Sequence, residues 1–186
     1  MTQINSALLI MDLQNAIAGH LGDKQALFPY KMALEAARNH SIPVIFVRVA
    51  FREGYPEISP MNQMFARAAQ YGGMTLNDET TQIHPELAPQ PGEPIVTKKR
   101  ISAFTGSDLE MILRAKGINK LILSGISTSG VVLSTLTEAA DKDYQLTVLS
   151  DACFDPDPEV HRVLLEKVFT KRADVMTVDG WVDTLV

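Results

Sequence analysis

Lys120-Leu121-Ile122-Leu123-Ser124-Gly125-Ile126-Ser127-Thr128-Ser129-Gly130-Val131 runs from a continuous apolar stretch, through small and hydroxyl residues, into a segment of helical periodicity. Lys120 to Leu123 reads as a strand and Thr128 to Asp143 as a helix, so this stretch is one βα unit. The turn between them presents backbone N–H groups at a helix start, a setting suited to a carboxylate, a phosphate or an oxyanion. Thr128 or Ser127 could equally serve there as a plain helix cap.

Working outward, the same alternation recurs along the chain. Ala7 to Met11, Val44 to Val49, Pro94 to Thr97, Leu146 to Leu149 and Val175 to Val178 read as further strands, giving six in all. Lys24 to Asn39, Ser107 to Lys116 and Pro158 to Lys171 carry apolar residues at helical spacing. Unbroken rather than alternating hydrophobicity in the strands predicts burial on both faces. Right-handed crossovers then predict a three-layer α/β/α fold around a doubly wound, six-stranded parallel sheet. Its ligand crevice should lie at the carboxyl ends of the strands, where the strand order reverses.

Local signals agree with this layout. Ser107-Asp108-Leu109-Glu110 has the form of a capping box, Asp157-Pro158 places a capping residue before a first-turn proline, and Gly117 reads as a helix stop. Arg52 to Pro91 is rich in proline and glycine, with one helix expected around Met61 to Gln70. That region is expected to cover a site and to meet another subunit. No linker, repeat or change of composition divides residues 1–186, so one domain is expected.

Composition narrows the function classes. A net charge of −5 gives no footprint for a nucleic-acid backbone, and the one basic run, Lys98-Lys99-Arg100, is short. One cysteine, Cys153, makes no intramolecular disulfide, and with four scattered histidines it makes no structural zinc pattern. Met1-Thr2-Gln3-Ile4-Asn5 does not lead into a secretory signal, and no apolar run approaches the roughly 18 residues of a membrane span. These features predict a cytoplasmic protein with a small-molecule substrate and neither a nucleic-acid nor a membrane partner.

The strand ends hold the residues to inspect: Asp12 and Gln14, Arg48 and Arg52, Lys98 to Arg100, Gly125 to Val131, and Asp151 to Cys153. Asp12 closes the apolar run Ala7-Leu8-Leu9-Ile10-Met11, where burial would raise its pKa and a neighbouring cation would lower it. An aspartate there can also simply cap the next turn. Lys98 follows Pro94-Ile95-Val96-Thr97 and can reach over the end of the sheet, although basic runs are commonly solvated faces.

Met11-Asp12-Leu13-Gln14-Asn15, Val96-Thr97-Lys98-Lys99-Arg100-Ile101-Ser102-Ala103-Phe104 and Leu121-Ile122-Leu123-Ser124-Gly125-Ile126-Ser127-Thr128 together resemble the three signature blocks of the isochorismatase-like, or cysteine hydrolase, superfamily. The resemblance runs from about Ser6 to the strand near Val178 and implies a Rossmann-like sheet and a homo-oligomer. It implies that Asp12 and Lys98 are catalytic and that Ser127 and Val131 supply backbone N–H groups to an oxyanion hole. It further implies a non-proline cis peptide at Ile126-Ser127 and substrate contacts from Gln14, Phe104, Ile126 and Thr128.

The nucleophilic cysteine of most such enzymes falls at Val131, which has no nucleophile, so thiol-based amidase chemistry is not expected. The histidines of the nicotinamidase zinc site have no counterpart in Phe51-Arg52-Glu53-Gly54-Tyr55-Pro56-Glu57, so neither a catalytic metal nor a cofactor is expected. True isochorismatases also lack the cysteine and use the aspartate as a general acid, but they carry glycine where this chain has Val131. The reading is a hydrolase acting on a small carboxylate-type or related substrate through Asp12 and Lys98. The alternatives are a pseudoenzyme that only binds, and a serine hydrolase using Ser127, Asp151 and His161. Cys153 reads as a packing residue.

Overall fold

A computed structural model of the chain describes residues 5–22 and 24–185. The residues from Met1 to Ile4, on which the absence of a leader was read, lie outside that range. The strands are β1 (Ser6–Met11), β2 (Val44–Val49), β3 (Ile95–Lys98), β4 (Lys120–Ile126), β5 (Gln145–Phe154) and β6 (Asp174–Met176). All pair in parallel in the order β3-β2-β1-β4-β5-β6, so the direction of winding reverses between β1 and β4. This is the doubly wound topology expected, and its crevice falls between the ends of β1 and β4.

The helices are α1 (Asn15–Ala18), α2 (Phe28–Asn39), α3 (Ala66–Tyr71), α4 (Leu109–Ala115), α5 (Leu133–Asp141), α6 (Pro158–Val163) and α7 (Val178–Val182). Successive residues of β1 face opposite layers, as the two-residue strand period requires. Ala7, Leu9 and Met11 pack with Leu109 and Leu113 of α4 and Leu136 and Ala139 of α5. Leu8 and Ile10 pack with Tyr30, Ala33 and Leu34 of α2 and Trp181 of α7. Both faces of the sheet are therefore buried, which is why its strands read as unbroken apolar runs. Among the described residues no helix is long and apolar enough to cross a membrane.

Several boundaries differ from the sequence reading. Val178 opens α7 instead of closing β6: Thr177 accepts a hydrogen bond from Gly180 N at 3.1 Å through its hydroxyl, and Asp151 accepts one from Val178 N at 2.8 Å. The helix read from Thr128 begins with a π turn, Thr128–Val132, because the Ser127 carbonyl accepts from Val132 N at 3.2 Å, five residues on. Pro158 to Lys171 likewise changes pitch, through a π segment at Leu164–Val168 and a 3₁₀ turn at Phe169–Lys171. The helix expected around Met61 to Gln70 starts later, as α3, and buries none of its residues.

The caps also sort themselves out. The Asp157 carboxylate accepts from Glu159 N and Val160 N, as its place before Pro158 suggested. At α4 the capping acceptor is the Ser107 hydroxyl, which takes Leu109 N at 3.2 Å, and the Asp108 side chain makes no cap.

β4 and β5 extend further than their apolar runs. Their register shifts between Leu123 and Gly125, and β5 continues through Asp151, Ala152 and Cys153 to Phe154. Cys153 thus lies within a strand, not after one. Gly125 makes the close approach of β4 to the end of β1 possible: its φ is +155°, and a Cβ there would stand 2.5 Å from the Met11 carbonyl oxygen.

Candidate active site

Asp12 sits one residue beyond β1 with φ 60°, a left-handed conformation that aspartate tolerates better than most side chains. Its amide is anchored to the Val47 carbonyl at 2.8 Å, and its carboxylate is turned over the end of the sheet. There Oδ2 meets Lys98 Nζ at 2.8 Å, both side chains being buried. Lys98 ends β3, two strands away from β1, and also donates to the Ile101 carbonyl at 2.6 Å. The following loop is tied to α5 through Ser102 Oγ to Glu138 Oε2, 2.6 Å, and Ala103 N to Thr135 Oγ1, 2.9 Å. The ammonium is therefore held from two sides.

The second oxygen, Asp12 Oδ1, is buried and has no hydrogen-bond partner among the described residues. Burial raises the Asp12 pKa above its ordinary value, and the Lys98 charge and hydrogen bond offset only part of that rise. Desolvation thus outweighs the cation in the direction of the shift.

Beside this pair opens a cavity of about 420 Å³. Asp12, Lys98, Ile126, Ser127, Gly130 and Val131 form its floor, so the ends of β1, β3 and β4 converge as the strand-end rule requires. The Ile126-Ser127 peptide is cis. The Ser129 amide at the π turn is taken by Asp155 Oδ2 at 2.8 Å, and the buried Thr128 hydroxyl lies 2.8 Å from His161 Nδ1. The loop and helix after β5 therefore clamp the turn at two points.

Three of the four residues expected to contact substrate stand elsewhere; only Ile126 lines the cavity. Gln14 is used up as a brace: its Nε2 donates to the Val49 and Thr81 carbonyls and its Oε1 accepts from Val49 N. Phe104 belongs to the core, with its ring 6.0 Å from that of Tyr144 and the Lys142 ammonium 5.5 Å from its centroid. Thr128 is fully buried behind the turn. These side chains come from the right blocks but face inward.

The other strand-end residues are structural. Arg48 donates to Thr97 and Gln82, Arg52 to Glu57, and Lys99 and Arg100 to backbone carbonyls. The serine triad does not assemble: His161 bonds Thr128 instead of Ser127, and Asp151 is engaged by Val178 N. Cys153 is buried in the core, and desolvation pushes its thiol up to about 12.

Asp155 was missed, as were Ile17, Met64, Phe65, Met74 and Phe154 in the cavity wall. Asp155 follows the end of β5, so the rule that found Asp12 would have found it had that strand been read to its full length. No local pattern marks the wall residues, which come from α1, the segment between β2 and β3, and the end of β5.

An open parallel sheet whose switch-point crevice holds a buried acid and amine beside a strand-to-helix turn defines an α/β enzyme for small molecules. Residues 6–180 match the model of the isochorismatase domain. An uncharacterised isochorismatase family protein of Bacillus subtilis is 31% identical over 178 residues, covering 96% of this chain and 93% of its own. The ureidoacrylate amidohydrolase of Stutzerimonas stutzeri is 31% identical over 206 residues, covering 97% of this chain and 79% of its own. Among solved structures, an isochorismatase family protein of Desulfovibrio vulgaris superposes with a TM-score of 0.88 at 25% identity, covering 98% of this chain and 99% of that one. The chain belongs to the isochorismatase family of hydrolases.

Proposed function

We propose that the protein hydrolyses a small carboxylate-type or related substrate, such as an amide or ester, through Asp12 and Lys98 and without a cysteine nucleophile. The observation that carries this reading is the Asp12 carboxylate, paired to Lys98 on one oxygen and unpartnered on the other, at the floor of the cavity. With Val131 in place of a nucleophile, water attacks the carbonyl carbon directly. Asp12 takes the proton that water loses and returns it to the leaving nitrogen or oxygen. Lys98 and the backbone N–H groups of Ser127 and Val131 stabilise the negative charge on the former carbonyl oxygen. The two products are a carboxylic acid and an amine or alcohol, with one water consumed.

Relatives with amide-cleaving names support the substrate class. One is the ureidoacrylate amidohydrolase above; another is the N-carbamoylsarcosine amidase of Thermoplasma acidophilum, which superposes with a TM-score of 0.77 at 25% identity. A screen of amides, esters and vinyl ethers tests the proposal. Turnover of any of them that disappears in Asp12→Ala supports it, and turnover that survives in that variant removes Asp12 from the chemistry.

One observation favours the second reading, a protein that binds without turnover: Val131, at the position where the family resemblance would put the nucleophile, lines the cavity with an inert side chain. Binding of the same compounds without any conversion would establish it. A homo-oligomer in a reducing, cytoplasmic setting completes the proposal, supported by Met61 and Tyr71, which are 89% and 78% exposed beside the cavity-covering segment, and by the free Cys153.

A further inference from the structure

The cavity wall is apolar almost throughout. Above the floor it is made by Ile17, Val49, Phe65, Met74, Ile101 and Phe154, with Met64 at the mouth. Among the described lining residues Asp12 and Lys98 are the only charged ones, and they neutralise each other at 2.8 Å. Lys98 spends a second donor on the Ile101 carbonyl. The nearby cations that could have balanced a substrate charge are turned away from the cavity. Arg48 is held by Thr97 and Gln82, Lys99 by the Ala50 carbonyl, and Arg100 by the Glu57 and Lys99 carbonyls.

We infer that the substrate is uncharged apart from its reacting group and carries an apolar alkyl or aryl body. This rests on the reading of Asp12 and Lys98 as the reacting end and adds what fills the remainder of the cavity. A second carboxylate on the substrate would leave water for a wall whose side chains above the floor offer neither a cation nor a hydrogen-bond donor, whereas an apolar group gains contact along its whole length. Met64 and Met74, unbranched and polarisable, adapt to a ring or a chain. Phe65 and Phe154 present aromatic surface to either.

The test compares primary amides that differ in body alone: pentanamide and phenylacetamide, both neutral, against succinamate, which ends in a carboxylate. Binding to the full chain is measured by calorimetry, and turnover by release of ammonia. The neutral amides are expected to bind at least tenfold more tightly than succinamate. Equal or tighter binding of succinamate overturns the inference. Met64 is 60% exposed, so Met64→Lys places a cation at the mouth without unpacking the core. It is expected to reduce the preference at least threefold, and a preference that does not move means that the probes bind elsewhere, which also overturns the assignment. The two proposals fail separately. Neutral amides that bind preferentially but are never hydrolysed leave the substrate class standing and remove the hydrolytic reading.

Discussion

Lys98 Nζ lies 2.8 Å from Asp12 Oδ2, joining the ends of two strands that are separated in the sheet by β2, while Asp12 Oδ1 stays buried without a partner. A carboxylate half satisfied in this way holds its proton more tightly in the folded protein than in the unfolded chain.

That difference fixes the sign of a pH effect. Below the ordinary value of 3.8 Asp12 is protonated in both states. As pH rises past it, the unfolded chain releases its proton first, so the contribution of Asp12 to stability falls until the folded pKa has been passed. Asp12→Asn cannot titrate. Urea unfolding over a pH series should show wild type losing stability relative to Asp12→Asn across that window, and two parallel curves would contradict the raised pKa.

Lys98→Met removes the neighbouring charge and should raise the Asp12 pKa further. Activity that needs ionised Asp12 as the base should then begin at higher pH with a lower maximum, whereas activity that falls as pH rises through the Asp12 pKa marks it as an acid. Where Asp12 is ionised, loss of its partner should cost about 3–5 kcal/mol of stability. A pH–rate profile unchanged by the substitution would remove Lys98 from the site.

Val131 is 2% exposed and shares the cavity floor with Asp12 and Lys98. Val131→Cys on a Cys153→Ser background should therefore place a thiol where the ammonium and the helix start both favour thiolate. The near match in size and polarity keeps the cost to roughly 1 kcal/mol. The variant should react with iodoacetamide faster than a free thiol at neutral pH, while wild type, whose Cys153 thiol is pushed up to about 12, should stay inert. An introduced thiol that is inert in a folded protein would place Val131 outside the site.

Asp155→Ala strips the acceptor from Ser129 N and loosens the turn from behind. A loss of about 1–2 kcal/mol is expected, of the size seen when a capping side chain is removed. In combination with Val131→Cys it should also slow alkylation. Unchanged reactivity would make Asp155 a support of the loop alone.

Gly125→Ala meets the Met11 carbonyl oxygen at 2.5 Å, a backbone atom that cannot move aside without parting β1 from β4. Thermal or urea unfolding should register a loss of roughly 1–3 kcal/mol or more.

The six strands were legible because both faces of the sheet are buried, so each central strand announces itself as an apolar run at its place in the chain. Legibility failed where polar residues continue an element, as in β5, where Ser150 and Asp151 interrupt the apolar pattern but the strand resumes its pairing with β4 at Cys153. It failed again at β6, where the apolar run crosses into α7 and only the Thr177 cap and Asp151 mark the boundary.

By itself the amino-acid order determined the alternation of strand and helix, the doubly wound sheet, and the presence of an acid, a lysine and a hydroxyl-rich turn at strand ends. It did so because secondary structure and its termination depend on residues a few positions apart. Which side chains share a cavity depends on residues brought together across the sheet. Only the tertiary structure could turn Gln14, Phe104 and Thr128 into internal braces, recruit Asp155 to the turn, and make the cavity wall apolar from segments far apart in the chain. At a strand end a polar residue can satisfy its hydrogen bonds inward or leave an atom free toward the crevice. The packing of neighbouring strands and loops decides between the two, and at Asp12 it left one oxygen free.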